Sequence, residues 1–196
     1  MKKIHDDFLK PPQQQLNNLI KYYQAGRYVD AEKLSLSITQ EFPKHQFAWK
    51  VLAVLLKRNG RINESLIVSK KSVQLDPQDA EAHNNLGVLL QEQGKLYEAE
   101  KSHRNAMELK PDYAEAHNNL GNTLKQQDKL DGAEKCYKKV ITLKPDYAKA
   151  HNNLGILLKE QGRLKEAEAS YAQEKKQKPD YQSWFLAISM GVPVKD

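Results

Sequence analysis

Three histidines stand at one fixed spacing, and histidine is a common zinc ligand. His83, His117 and His151 lie 34 residues apart from one to the next. A period of this length is typical of stacked repeats, in which equivalent side chains lie roughly one helix-packing distance apart, about 8–10 Å. Zinc holds its ligands at about 2 Å. We therefore expect these histidines to fill packing positions between helices and expect no metal site.

Other reactive residues give no catalytic arrangement. His103 stands where related repeats carry an aromatic residue, and Cys136 is the single cysteine, so no disulfide can form within the chain. We expect both to be packing residues, with Cys136 half-buried. The sequence has no phosphate-binding glycine loop, nucleophile elbow or His-Glu-x-x-His motif. We expect a protein that is not an enzyme and uses no cofactor.

Pairs of adjacent asparagines repeat at the same period. A side-chain amide offers both a donor and an acceptor, so a row of amides could hydrogen-bond along a peptide backbone without regard to its sequence. The alternative is that these side chains are solvated or cap neighbouring turns. The pairs are Asn84 and Asn85, Asn118 and Asn119, and Asn152 and Asn153.

The composition excludes several classes of protein. The 196 residues carry a net charge of +6, but the basic residues are dispersed, which favours a solvated surface and makes nucleic-acid binding unlikely. No stretch approaches the roughly 18 apolar residues of a membrane span. The basic start lacks the apolar run of a secretory signal, and one cysteine fits a reducing compartment. We expect a cytoplasmic protein without a membrane contact.

Internal repetition organises the chain. The stretch 80–113 recurs as 114–147 and 148–181, and prolines at the same period extend the array back to residue 12. The predicted repeats are 12–45, 46–79, 80–113, 114–147 and 148–181. They are preceded by a flexible tail, 1–11, and followed by a segment, 182–196, that we expect to contain a short capping helix.

Each repeat carries apolar residues at helical spacing twice. In 80–113 the first set includes Leu86, Leu89 and Leu90, and the second begins at Leu96. A helix, a tight turn and a second helix are therefore predicted. Glycine stands at the predicted turn in four repeats, where a left-handed residue would end the first helix, and Asp128 takes its place in the fourth. Small residues such as Gly87 and Ala99 would let the paired helices approach closely.

This pattern resembles the tetratricopeptide repeat, read as Trp-x2-Leu-Gly-x2-Tyr, then Ala-x3-Phe, then Pro. The second repeat keeps Trp49, Leu52, Gly60 and Pro77, and the third has His83 in the tryptophan position. The resemblance covers 12–181. It implies an all-α fold, a right-handed superhelix (α-solenoid) of about five helix-turn-helix repeats with a C-terminal capping helix.

The resemblance also implies where a ligand would bind. In this family the first helices of the repeats line a concave groove, and the sixth residue of each repeat faces it. We therefore predict a protein-interaction scaffold that binds an extended peptide or a partner helix through an asparagine ladder, interrupted by Val51. The predicted groove residues are Asn85, Asn119, Asn153, Asn84, Asn118, Asn152, Asn122, Lys125, Lys149 and Lys159.

Two narrower functions follow from the same resemblance. Members that clamp a carboxyl terminus need lysine at the fifth position, where this chain has asparagine, so binding of chaperone tails is disfavoured. The sequence pattern HNNLG…EQGKLYEAE is similar to that of the repeat arrays that precede glycosyltransferase domains of the O-linked N-acetylglucosamine transferase type. That implies an alternative function, a substrate-targeting module without catalytic activity that works with such a transferase or its substrates.

The end of the chain leaves two alternatives. After a polar stretch, apolar residues occur again at Trp184, Phe185, Leu186 and Ile188. They would cap the last repeat, or they would contact another chain and make a weak homodimer in place of a monomer.

Overall fold

The computed structural model describes residues 10–177, with side chains described through residue 173. The predicted capping helix and most of the predicted N-terminal tail lie outside these residues. The described range contains ten α-helices and no strand, so the all-α fold class is confirmed. None of these helices is long and apolar enough to cross a bilayer.

The helices follow one another with short connections. They are α1 (Gln13–Gln24), α2 (Tyr28–Glu41), α3 (Gln46–Arg58), α4 (Ile62–Leu75), α5 (Ala80–Glu92), α6 (Leu96–Leu109), α7 (Ala114–Gln126), α8 (Leu130–Leu143), α9 (Ala148–Glu160) and α10 (Leu164–Gln177). Each predicted repeat range from 12–45 to 114–147 contains two helices, and α9 and α10 lie in 148–181.

The described residues divide into two compact units, with the boundary between residues 111 and 112. Helices α1–α6 belong to the first unit and α7–α10 to the second. The first unit has a core around α1, α2 and α3 that includes Leu19, Ile38 and Leu55. A second core joins α4, α5 and α6 around Leu89 and Leu90. In the second unit Val140 packs with Ala114 and Ala150.

The turn between paired helices requires a left-handed residue. Gly26, Gly60, Gly94 and Gly162 have φ between 71° and 75° there. Asp128 has φ of 62° at the same turn, as predicted, and no other described residue besides glycine has positive φ. A side chain in this conformation brings Cβ close to the backbone, a cost that glycine avoids.

Replacing Asp128 with glycine should therefore stabilise the protein. We expect Asp128→Gly to raise the free energy of unfolding by about 0.5–1 kcal/mol and the melting temperature by about 1–3 °C. The reverse change at the equivalent turn, Gly162→Asp, should lower it. Thermal melts of both variants check the sign, and an unchanged or lower midpoint for Asp128→Gly would contradict the argument.

A ring on the second helix packs directly on a glycine of the first helix within each of three repeats. A Cβ built on Gly87 would lie 2.6 Å from His103 Cε1, and one on Gly121 would lie 2.5 Å from Tyr137 Cε1. Gly155 and Tyr171 repeat the contact at 2.5 Å. Real Cβ atoms do not approach so closely, so glycine is required if the two helices are to keep this separation. The expected close approach at these glycines is confirmed.

A methyl group at Gly121 should force the paired helices apart. We expect Gly121→Ala to lower the free energy of unfolding by about 1–2 kcal/mol, because overpacking outweighs the gain of about 1 kcal/mol in helix propensity. Gly132→Ala is the matched control in the same unit. Its Cβ would meet only the movable Cδ1 of Leu124, at 3.1 Å. Urea unfolding of both variants measures the difference, and equal effects would refute the packing argument.

His103 replaces the tyrosine of this contact and is fully buried. Its Nδ1 lies 3.1 Å from Asn84 Oδ1, and its Nε2 has no hydrogen-bond partner. Burial away from water disfavours the charged ring and lowers the pKa of His103 from 6.5 to about 4. The ring is therefore neutral at pH 7, and Nδ1 donates its proton to the asparagine oxygen.

This pKa makes stability depend on pH in a defined window. Between pH 6.5 and about 4 the unfolded chain binds a proton at His103 that the folded chain does not bind, so stability falls as pH falls. At pH 5 the loss relative to pH 7.5 should reach about 2 kcal/mol. His103→Phe keeps a ring against Gly87 and should remove this part of the pH dependence. Urea unfolding at the two pH values tests it, and identical pH dependence in both proteins would contradict it.

Candidate functional site

The repeated histidines do occupy the tryptophan position, as predicted. Trp49 donates its indole N–H to the carbonyl oxygen of Pro43 at 3.0 Å. His83 Nε2 makes the same contact with Pro77 at 3.0 Å, and His151 Nε2 with Pro145 at 2.9 Å. All three repeated histidines are buried. The imidazole therefore replaces the indole as a ring that packs between helices and donates one hydrogen bond to the preceding turn.

The described residues contain no group of three or more histidine, cysteine or acidic side chains that could hold a metal ion. Cys136 is only 9% exposed, so it is buried and not half-buried as expected. Within α8 its neighbour Tyr137 carries the ring that packs on Gly121. The burial of the cysteine leaves little access for a reagent.

In the second unit, asparagines form a connected network. Asn153 Nδ2 donates to Asn118 Oδ1 and to Asn122 Oδ1, each at 3.0 Å. Tyr137 donates its hydroxyl to the same Asn122 oxygen at 2.8 Å. Burial raises the pKa of this tyrosine above its usual range, so the hydroxyl remains a donor. The network fixes the orientation of two half-buried amides, Asn122 and Asn153.

Two polar atoms of this network have no partner within the described residues. They are Nδ2 of Asn122, a donor, and Oδ1 of Asn153, an acceptor. Neither is among the buried side-chain atoms that lack a partner, so both remain open to solvent. A peptide unit carries one donor and one acceptor on its backbone, and this pair of atoms complements them.

The predicted asparagines thus differ in how far their side chains are exposed to solvent. Asn84 and Asn118 are 4% and 5% exposed, and each is hydrogen-bonded inside its own unit, Asn84 to His103 and Asn118 to Asn153. Both side chains are therefore held in place within their units, and their contact with a ligand stays a prediction. Asn85 and the second-unit residues Asn119, Asn152 and Asn153 are half-buried. Their binding of a peptide stays a prediction.

The predicted lysines also differ. Lys125 is half-buried and forms an ion pair with Glu160 at 2.8 Å, so its charge is already balanced within the second unit. Lys149 and Lys159 are exposed. Among the three predicted lysines, Lys149 and Lys159 therefore offer the exposed charges.

The first unit contains a groove that the sequence analysis missed. It has a volume of about 440 Å³ and runs across the first helices of three successive repeats, α1, α3 and α5. Its apolar lining is Leu19, Ile20, Tyr23, Phe47, Val51 and Val54, and its polar lining is Gln24, Lys50, Glu81 and Asn85. Ile20 and Tyr23 are about 40% exposed, which is high for large apolar side chains.

One signal in the sequence could have revealed this groove. Val51 and Val54 lie three residues apart on α3, outside the buried stripe of Leu52, Leu55 and Leu56. A second apolar stripe on a helix that already buries one face indicates an additional contact. We had treated Val51 only as an interruption of the asparagine ladder.

A cluster of charged side chains closes one end of the groove. Asp79 caps α5, its Oδ1 accepting from the backbone N–H groups of Glu81 and Ala82 at 2.9 and 3.1 Å. Its Oδ2 accepts from Lys50 Nζ and Gln46 Nε2, each at 2.8 Å. Lys50 Nζ also reaches Glu81 at 3.1 Å.

The pKa values of this cluster follow from its geometry. Burial opposes ionisation of Asp79, but the hydrogen bonds from Lys50, Ala82 and Gln46 outweigh it and hold the pKa of this carboxyl below its usual value. Burial likewise opposes the charge on Lys50, and the hydrogen bonds to the two carboxylates raise its pKa nevertheless. Asp79 and Lys50 are therefore both charged at neutral pH.

Comparison with known proteins supports one family. Models described as TPR repeat match residues 90–128 and 121–162, and models described as Tetratricopeptide repeat match 69–101 and 148–181. Together these matches extend from residue 69 to residue 181. No curated protein sequence matches the chain.

Solved structures share the fold at low sequence identity. A crystal structure of MamA is 24% identical, with a TM-score of 0.73, over 80% of this chain and 92% of that one. MamA from Desulfovibrio magneticus RS-1 is 17% identical, with a TM-score of 0.76, over 84% and 93%. Pseudomonas aeruginosa PilF is 20% identical, with a TM-score of 0.78, over 91% and 80%. With its repeat period, paired helices and family matches, the chain is a tetratricopeptide-repeat protein.

Proposed function

We propose that this protein is a non-catalytic scaffold that binds an extended peptide segment of a partner protein through the first helices of its repeats. The observation that carries the proposal is the network of Tyr137, Asn122, Asn153 and Asn118. It holds one amide donor and one amide acceptor in fixed orientation at the surface. Because these two amide groups are already oriented before the ligand binds, less conformational entropy is lost on binding.

The proposed ladder has Asn85 in the first unit and Asn119 and Asn153 in the second. Each hydrogen bond to a peptide backbone contributes about 1 kcal/mol, so useful affinity requires several asparagines of the ladder to bind at once. Backbone contacts of this kind carry no information about side chains. The ladder therefore supplies affinity, and other surfaces must supply specificity.

The alternative function is targeting of substrates to a glycosyltransferase of the O-linked N-acetylglucosamine transferase type. This alternative rests on the amino-acid sequence of the repeats. The family models that match the chain are models of the repeat alone. No geometric feature of the described residues favours it over the general scaffold. It remains the second hypothesis, distinguished by the identity of the partners.

A cytoplasmic location, a monomer or a weak homodimer through the C-terminal end, and the absence of nucleic-acid binding also remain predictions. The ion pairs that we find on the first helices, Lys57 with Glu92 and Lys125 with Glu160, neutralise part of the basic surface on which nucleic-acid binding would depend. This charge balance favours a protein ligand.

The ladder is tested by the substitutions Asn85→Val, Asn119→Val and Asn153→Val combined in one protein. Each copies Val51, the residue at the equivalent position of the second repeat, so we expect the variant to fold. Loss of three hydrogen bonds of about 1 kcal/mol each should weaken partner binding about 100-fold. The measurement is affinity capture from native extract with mass spectrometry, followed by calorimetry with the partner found.

The control substitution is Asn105→Ala, on the second helix of its repeat, which should leave capture unchanged. Circular dichroism establishes that each variant is folded. If the same partners bind the triple variant with undiminished affinity, the ladder is not the binding site. Partners that include a glycosyltransferase would favour the targeting hypothesis.

A further inference from the structure

We infer that the groove of the first unit binds an apolar segment of a partner protein that carries a lysine or arginine next to its apolar side chains. This inference rests on the proposed function, because it identifies the chemistry of a partner for the same repeat surface. It concerns α1, α3 and α5, whereas the connected asparagine network lies in the second unit.

The floor of the groove is suited to apolar side chains. Six of its ten lining residues are apolar, and two of these are aromatic, Tyr23 and Phe47. Exposed Ile20 and Tyr23 lie beside half-buried Val51 and Val54, so the apolar surface is continuous across two helices. A volume of about 440 Å³ is within the range of ligand-binding clefts, roughly 300–1,000 Å³. Aromatic residues in such clefts commonly anchor partner proteins.

The cations of the groove are already neutralised, which excludes an acidic anchor. Lys50 Nζ contacts both Asp79 and Glu81, and its side chain is 19% exposed. Further along the same helix Lys57 pairs with Glu92 at 2.8 Å. An acidic peptide would have to displace one of these carboxylates. Among the described residues that line the groove, there is therefore no unpaired lysine of the kind that a carboxylate ligand needs.

The end of the groove has an excess of negative charge. One ammonium group, on Lys50, is shared by two carboxylates, on Asp79 and Glu81. Asp79 is also held by Gln46 and by the start of α5, and its side chain is 13% exposed. Glu81 is 63% exposed and has this one ion pair within the described residues. Glu81 is thus the side chain to which a partner's cation would bind.

Equivalent positions in the second unit show that this chemistry is a property of the first unit. The positions of Val51 and Val54 are occupied there by Asn119 and Asn122 in one repeat and by Asn153 and Ile156 in the next. The same helical positions therefore carry either apolar or amide groups on one backbone. Replacing valine by asparagine at these positions therefore tests the inference without changing the fold.

The probe is a fluorescein-labelled peptide, AALAALLAAKA-amide, titrated with the full chain and followed by fluorescence anisotropy. Two matched peptides replace its lysine by glutamate or its three leucines by serine. We expect the lysine peptide to bind about 3–10-fold more tightly than the glutamate peptide. The serine peptide should lose at least tenfold in affinity.

Two variants connect this binding to the groove. Val51→Asn/Val54→Asn copies the pattern of the second unit and should weaken binding of the lysine peptide at least tenfold. Glu81→Lys should reverse the preference, so that the glutamate peptide binds more tightly. Ile156→Asn is the matched control, since it removes an exposed apolar residue at the position equivalent to Val54 and should change nothing.

Four results would overturn the inference. The first is failure of the lysine peptide to bind, and the second is equal binding of this peptide to Val51→Asn/Val54→Asn. The third is a preference for the lysine peptide over the glutamate peptide that survives Glu81→Lys. The fourth is a tenfold gain in probe binding by Trp184→Ser/Phe185→Ser, which would identify this protein's own terminal segment as the occupant. Loss of captured partners in Asn119→Val/Asn153→Val, which leaves the groove residue Asn85 unchanged, would show that the proposed function stands although this inference has failed.

Discussion

The contact between a ring and a glycine fixes the distance between the two helices in three of the repeats. His103, Tyr137 and Tyr171 each lie where the Cβ of any larger residue would stand. This contact has a second effect in the fourth repeat, because it brings the Tyr137 hydroxyl to Asn122. The same close packing that holds the helices together therefore orients a surface amide. In the third repeat the ring is His103, and its hydrogen bond goes to buried Asn84 instead.

Much of the fold could be predicted because each local feature recurs at one period. The left-handed turn at Asp128, the packing glycines and the histidines in place of tryptophan all follow from comparing equivalent positions. The burial of Asn84 and Asn118 could not be predicted, because adjacent residues on a helix point about 100° apart. The sequence places two asparagines side by side but does not show which of them faces the paired helix.

The candidate site was predicted less well than the fold. Asn153 forms hydrogen bonds to residues 31 and 35 positions earlier, so its orientation depends on contacts between repeats that spacing alone does not reveal. The groove of the first unit was missed for a different reason. Val51 interrupts the row of asparagines when only equivalent positions are compared. In the structure it lines the groove together with Val54, Ile20 and Tyr23.

The interchange of valine and asparagine at equivalent helical positions has a consequence for how such a protein can diversify. The ring, the glycine and the turn hold the backbone, and the positions of Val51 and Val54 carry either apolar or amide side chains on it. A duplicated 34-residue segment can therefore acquire a new ligand preference by one or two substitutions, while its neighbours keep the old one. The array is then a record of successive copies, in which recognition changes from unit to unit along a constant framework.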